Sequence, residues 1–272
     1  MRLGEAMAVR RDEAIILRSR DYSESDRLIT FFTRNQGQLT GIAKGARRSK
    51  KRFVHTLEPL SHVSITYADR RTTGLVRIDG SELKSAFTAL RGDIARLGYA
   101  SVSCEIVLKI SPERQANPSL FSLLCQHLEQ LELGAEPENS SLLFQIRMLS
   151  LSGYAPNLQS CVLCSQQPRA GENWFISIPQ GGLLCKTHHQ GPEIYPVSLG
   201  TVMLLRQAQQ LPLTKLWRLR FQRQSLEESR FLLLNLTRHH LEKDLKSLKL
   251  LYQIGALNST NQSSHKNAKR KI

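Results

Sequence analysis

Over the first 80 residues the apolar positions come in short runs, rich in β-branched and aromatic residues and cut by turn formers. Glu13–Arg18, Arg27–Thr33, Gln38–Ala43, His62–Tyr67 and Gly74–Asp79 read as five strands, and the fourth alternates with period two. Asn35-Gln-Gly37 and Ala68–Arg71 supply breaks. Five strands in so short a segment suit a small closed barrel, because closure removes the sheet edges that a domain of this size cannot cover. An OB-fold is the leading expectation; an SH3-like barrel or a small sandwich has the same strand count.

From Ser81 the period changes. Leu90, Ile94, Leu97 and Ser101 form one helical stripe, Val102, Ile106, Lys109 and Ile110 another, and Leu120, Leu123, Leu124, His127, Leu128 and Leu131 repeat at three and four. Leu142–Leu151 reads as a further helix stopped by Gly153, and Ser225-Leu-Glu-Glu228 predicts a capping box opening a last helix with the stripe Leu234, Leu241, Leu245, Leu248 and Tyr252. These leucines are read as core and not as a zipper, since no heptad is sustained. The fold class expected is therefore α+β: a small N-terminal β-barrel over 1–80, then an all-α domain in two parts, 81–155 and 196–252. A separate element lies between them at 156–195. The polar, unpatterned residues 253–272 read as a disordered basic tail.

Charge sharpens this picture. The 272 residues carry 38 Lys and Arg against 23 Asp and Glu, a formal net charge of +15. The excess is localised: residues 1–80 hold 16 basic and 9 acidic residues and residues 205–252 hold 10 and 4, while residues 81–204 are close to neutral. Such a surface attracts polyanions and argues against an enzyme for small neutral metabolites. Apolar runs stop far short of the ~20 residues a membrane span needs. The first dozen residues lack a signal-peptide core, so a cytoplasmic protein is expected.

Two constellations carry candidate chemistry. Cys161-Val-Leu-Cys164 is followed after 20 residues by Cys185-Lys-Thr-His188. A C-x2-C knuckle sets two thiolates at adjacent vertices of a tetrahedron, the geometry Zn²⁺ takes with sulfur and nitrogen ligands. Trp174–Ile178 alternates, Pro179–Gly182 can turn, and Leu183-Leu-Cys185 returns, so a hairpin would bring the second pair back to the first. This predicts a zinc-ribbon-like insertion of Cys3His type, with His189 competing with His188 as fourth ligand. With four protein ligands no vertex stays open for water, so the expected zinc is structural. Cys104 and Cys125, inside apolar helical stretches, read as small buried hydrophobes.

The other constellation is Lys44-Gly-Ala-Arg47-Arg48-Ser-Lys50-Lys51-Arg52, six cations in nine residues after a strand. On a barrel such a loop suits backbone phosphates, and Phe31, Phe32, Phe53 and Tyr67 offer rings for base stacking, although at least half of them are expected in the core. Lys215, Arg218, Arg220, Arg223, Arg230 and Arg238, interleaved with Trp217 and Phe221, read as an extension of that path or a receiver of an acidic peptide, and equally as a solvated helix face. Nucleotide-binding and hydrolase motifs are missing. Arg77-Ile-Asp-Gly80 has arginine where a ligase needs its lysine nucleophile, and a guanidinium that stays protonated cannot attack. No enzyme is expected.

Several of these residues carry a resemblance. Asp21-Tyr-Ser-Glu-Ser-Asp-Arg-Leu-Ile29, Phe32-Thr33, Gly37 and Ala43-Lys-Gly-Ala-Arg-Arg48, with Leu149-Ser-Leu-Ser-Gly-Tyr-Ala-Pro156, Cys161-x-x-Cys164 and Gly181-Gly-Leu-Leu-Cys185, are similar to the bacterial RecO family of recombination mediators over about residues 8–250. The resemblance implies an N-terminal OB-fold and a helical domain with a zinc-binding element. It also implies binding of single- and double-stranded DNA and annealing of complementary strands. The implied partners are RecR and the acidic C-terminal tail of single-stranded DNA-binding protein, so that the recombinase RecA can load. The fourth ligand in that family is often cysteine, at the position His188 holds here. A zinc-ribbon adaptor acting on RNA or in transcription is the alternative.

Overall fold

The computed structural model describes residues 9–49, 51–69, 74–241 and 245–255. Five antiparallel and parallel strands come first: β1 (Val9–Asp21), β2 (Arg27–Thr33), β3 (Gly37–Ala43), β4 (His62–Asp69) and β5 (Val76–Ser85). They run in the order β1-β2-β3-β5-β4, and β4 pairs back onto β1 to close the sheet. Closure is uneven, because β3 and β5 share only three residue pairs and bulges interrupt β1 and β5. The last strand runs to Ser85, past Asp79, because Ser81–Ser85 still pair with His62–Ile65.

Period two explains the barrel core. Ala14, Ile16, Ile29, Phe31, Leu39, Val63, Ile65, Tyr67 and Ile78 point inward and pack together. Ile15, Leu17 and Phe32 point outward yet are also buried, in the core of the helical part. Strand β1 is thus covered on both faces, and that is why Ala14–Leu17 reads as an unbroken apolar run.

The remaining elements are α1 (Thr88–Arg91), α2 (Ile94–Ile110), α3 (Pro118–Glu132), α4 (Pro137–Leu151), strands β6 (Trp174–Ser177), β7 (Gly182–Cys185) and β8 (Ile194–Val197), then α5 (Leu199–Gln210), α6 (Leu213–Leu216), α7 (Arg223–Leu241) and α8 (Leu248–Gln253). The architecture is α+β, as expected. Side chains start the helices: Asp93 caps α2 and Asn117 caps α3, where Pro118 needs no amide partner. All five leucines of the predicted 120–131 stripe and His127 are buried, whereas Ile94 of an earlier stripe is exposed, since α2 turns Val102, Ile106 and Val107 inward instead. None of the helices among the described residues is long and apolar enough to cross a membrane.

The capping box at Ser225 does not form. Helix α7 already begins at Arg223, and the Ser225 hydroxyl donates to the Gln222 carbonyl at 2.9 Å. Glu228 reaches across to α5, accepting from the Ser198 amide at 3.0 Å and its hydroxyl at 2.8 Å. The carboxylate satisfies the start of a neighbouring helix, a contact that spacing along one helix cannot reveal. The 253–272 tail lies outside the described residues from 256 onward.

Barrel and helices join through the segment before α3. Arg114 donates its amide to the Gln38 carbonyl at 3.0 Å and its guanidinium to Asp69 at 2.8 Å. Gly37 sits in the left-handed region (φ 70°), and a Cβ there would lie 1.9 Å from the Gln115 carbonyl oxygen, so the join admits no side chain at this position.

The helical core contains one polar group with consequences for pH. His127 is fully buried, with Nε2 2.9 Å from the Ser103 hydroxyl and Nδ1 3.0 Å from the Ser140 hydroxyl, and its ring stacks on Phe144 at 4.8 Å. Burial pulls its pKa down to about 3. The folded state therefore resists a proton that the unfolded chain accepts near its ordinary pKa of about 6.5. Stability is retained above that value and falls as pH drops from there toward 3, by about 2 kcal/mol at pH 5 from this group. Denaturant unfolding at pH 8 and pH 5 checks it: the wild type should lose that much more than a His127→Gln variant, and equal losses would exclude His127 as the source.

Candidate nucleic-acid interface and metal-ligand cluster

Strand β3 delivers the chain to the cationic loop. Lys44 is exposed, Gly45 turns the backbone at φ 67°, and Ala46–Arg48 form a short 3-10 turn. The loop is fastened to the β1–β2 connection. Asp26 accepts from the Gly45 amide at 2.9 Å, and the Arg47 amide donates to the Ser25 carbonyl at 3.0 Å. The Gly45 amide, then the Ser25 hydroxyl, hold the Asp26 carboxyl below its usual range, so the anchor stays anionic. Nothing in the charge pattern marks Asp26 as an anchor; its role depends on a residue 19 positions away.

The six cations divide by what they touch. Arg52 donates to the Lys44 carbonyl at 2.9 Å and lies over the Phe53 ring, and Arg47 reaches the Ser23 carbonyl and Asp21. These two hold the loop in shape. Lys44, Arg48 and Lys51 are exposed and have no ion-pair partner among the described residues. Lys50 lies outside the described residues. Arg18 and Arg20 on β1, which the sequence pattern does not single out, are also exposed and pair across the sheet with Thr30 and Leu28 of β2. All four rings put forward for stacking are buried: Phe31, Phe53 and Tyr67 fill the barrel, which needs large apolar side chains inside, and Phe32 packs outward into the helical core.

Of the six basic residues near the C-terminal helices three have partners, while Lys215 and Arg218 are exposed with no ion pair among the described residues. Arg230 pairs with Glu138, Arg223 lies 3.4 Å from Glu227, and Arg220 donates to the carbonyls of Trp217 and Leu219. Trp217 is not a free ring either: its indole donates to Gln126 at 3.0 Å and it stacks on His127.

The Cys/His element is a three-stranded sheet in the order β7-β6-β8. The hairpin of β6 and β7 follows the sequence reading, whereas β8 was not foreseen, since Pro196 interrupts its pattern. The knuckle is bound to β7 by the Val162 amide to the Leu183 carbonyl at 2.9 Å and the Leu183 amide to the Asn157 carbonyl at 2.9 Å. Ligand atoms of Cys161, Cys164, Cys185 and His188 all lie within 4.8 Å of one another. Cys164 and Cys185 sulfurs are 3.7 Å apart, and His188 Nδ1 is 3.3 Å from the Cys185 sulfur and 3.7 Å from that of Cys161. Bonds of about 2.3 Å in a tetrahedron separate sulfurs by roughly 3.8 Å, so the four donors already stand where one ion could take them all. His189 points elsewhere, stacked on Phe175 with its Nδ1 at the Lys186 carbonyl.

Electrostatics favour the thiolate at Cys161 and Cys185 but not at Cys164, where the Gln166 amide is outweighed by burial and by the neighbouring Cys161 and Cys185. Burial pushes the Cys161 thiol up, but backbone amides of Cys185, Leu163 and Cys164 outweigh it and bring it down to about 6. His188 is raised by its contacts with Cys185 and Cys161. Cys104 and Cys125, by contrast, are pushed up to about 12 by burial and behave as core residues.

Fold and sites together define a class: a small closed β-sheet domain with an exposed cationic loop, sharing its core with a helical body that carries a Cys3His cluster. Known proteins place the chain further. Residues 7–87 match the family described as Recombination protein O N terminal, and residues 91–249 the one described as Recombination protein O C terminal. The DNA repair protein RecO of Syntrophobacter fumaroxidans is 41% identical over 248 residues, 91% of this chain and 98% of that protein. DNA repair protein RecO of Syntrophus aciditrophicus is 36% identical over 250 residues (91% and 96%), and that of Myxococcus xanthus 33% over 248 (90% and 97%). The chain belongs to the RecO family.

Proposed function

We propose that this protein is a recombination mediator of DNA repair, which binds DNA and anneals complementary single strands without bond chemistry of its own. On this reading it helps RecA load onto strands coated by single-stranded DNA-binding protein, together with RecR. The observation that carries it is the set Lys44, Arg48 and Lys51: exposed cations with no ion pair among the described residues, on a loop fastened by Asp26, Arg47 and Arg52. Annealing needs the phosphates of two chains neutralised while base edges stay free, and a loop that reads backbone and not sequence does that. No nucleotide site is required, since pairing is downhill once repulsion is screened. The closed sheet serves as the OB-type DNA-binding domain.

The Cys161, Cys164, Cys185 and His188 cluster holds a structural Zn²⁺ in a zinc-ribbon-like insertion, where the ion would cross-link the knuckle to β7. On the same reading the acidic tail of single-stranded DNA-binding protein docks on the helical domain, where Lys215 and Arg218 are exposed cations with no ion pair among the described residues. The alternative of an RNA or transcription adaptor gains nothing from the relatives, which are named for DNA repair.

Annealing of complementary strands precoated with single-stranded DNA-binding protein, without nucleotide, tests the reading. The protein should accelerate annealing, and deleting the acidic tail of the coating protein should remove most of the gain. No acceleration on bare or coated strands would overturn it.

A further inference from the structure

With its phenylalanines and Tyr67 buried, the barrel has one exposed tyrosine and no exposed phenylalanine or tryptophan among the described residues. Tyr22, at the β1–β2 connection, is 56% exposed, and among the described residues no ring or guanidinium packs on it. Core packing gives no reason for a tyrosine there. The connection is ordered nonetheless: the Tyr22 amide donates to the Asp26 carbonyl at 3.0 Å and the Asp26 amide to the Ser23 hydroxyl at 3.1 Å. This is the segment to which the cationic loop is bonded, through Asp26 to Gly45, Ser25 to Arg47, and Arg47 back to Ser23 and Asp21. The backbone that carries the ring is therefore bonded to the backbone that carries the cations.

We propose that Tyr22 is a stacking platform for an unpaired base of a single strand whose phosphates lie along the Lys44–Arg52 loop. The proposal rests on the reading of that loop as a DNA site. Every base has an apolar face that an aromatic ring can cover, so the contact is indifferent to sequence, as annealing demands. A ring with two side-chain torsions on a hydrogen-bonded turn loses little freedom on binding. In a duplex the base faces are already stacked on one another, so Tyr22 has nothing to cover. The loop attracts either form of DNA; the ring favours the single-stranded one.

Binding of oligo-dT, an abasic strand of equal length and a duplex, by wild type, Tyr22→Ala and Tyr22→Phe, tests this. Tyr22→Ala should weaken oligo-dT binding roughly tenfold. Its salt slope should stay unchanged, because no phosphate contact is lost. Duplex and abasic-strand affinities should match wild type, and Tyr22→Phe should bind like wild type. Equal oligo-dT affinity for wild type and Tyr22→Ala, or an equal loss on all three ligands, would overturn the stacking role while leaving the loop assignment intact. Failure of the wild type to bind any DNA at low salt would remove the functional reading itself, and the proposal with it.

Discussion

Replacing Lys44, Arg48 and Lys51 together by glutamine is expected to collapse single-strand binding, with a flattened salt dependence as its signature. If the loop engages four phosphates, log K for the wild type falls with log salt at a slope of roughly −3, which amounts to a loss of about 50-fold between 50 and 200 mM. Each phosphate contact removed should take about 0.7 from that slope, so the triple variant should approach −1. At 50 mM salt it should bind roughly 100-fold more weakly. Lys44 and Arg48 join the loop's hydrogen bonds through backbone atoms alone, and the side chains of all three make none among the described residues, so the fold should be untouched. Adding Arg47, Lys50 and Arg52 should abolish most of what remains, although Arg47 and Arg52 also shape the loop, and that variant mixes two effects. Titration of a fluorescent oligonucleotide at several salt concentrations measures both quantities. A triple variant with wild-type slope would place the DNA elsewhere.

The second large effect concerns the metal. Protein purified without chelator should contain close to one equivalent of zinc, and Cys161→Ser should contain none. Binding of structural zinc is folding free energy, on the order of 10 kcal/mol in small zinc peptides. Here part of the element would survive without it, because Cys161, Trp174, Leu183 and Leu184 are packed into the helical core. A fall in Tm of about 10 °C or more is expected, at 2–4 °C per kcal/mol for a chain of this size. His189→Ala should keep the metal, since that ring stacks on Phe175 and not on the cluster. Freshly prepared wild type with neither zinc nor a Tm difference from Cys161→Ser would show that the cluster holds no ion.

Much of the local structure was legible in the chain. Arg27–Thr33 emerges with its predicted bounds, and the hairpin before Cys185 forms as read, because period two and turn residues act over a few positions. The grouping of Cys161, Cys164, Cys185 and His188 was legible for a related reason: a knuckle, a hairpin and a second knuckle are all short-range. The misreadings concern faces. Of the four rings offered for stacking at least half were expected in the core, and all are buried, Phe32 under α3 with Phe121 at 6.2 Å. Glu228 reads as a cap for its own helix and serves the start of another.

Three things were settled by the order of residue types alone: strands followed by helices, the excess of cations in one loop, and three thiols and an imidazole at knuckle spacing. Each depends on periodicity, charge or distance along a few residues of backbone. Whether a cation is free or already bonded, which of two adjacent histidines turns toward the thiols, and whether a ring faces solvent depend on what folds back against it. Those neighbours lie tens of residues away, as Asp26 does from Gly45 and Arg114 from Gln38, so only the tertiary structure could decide them.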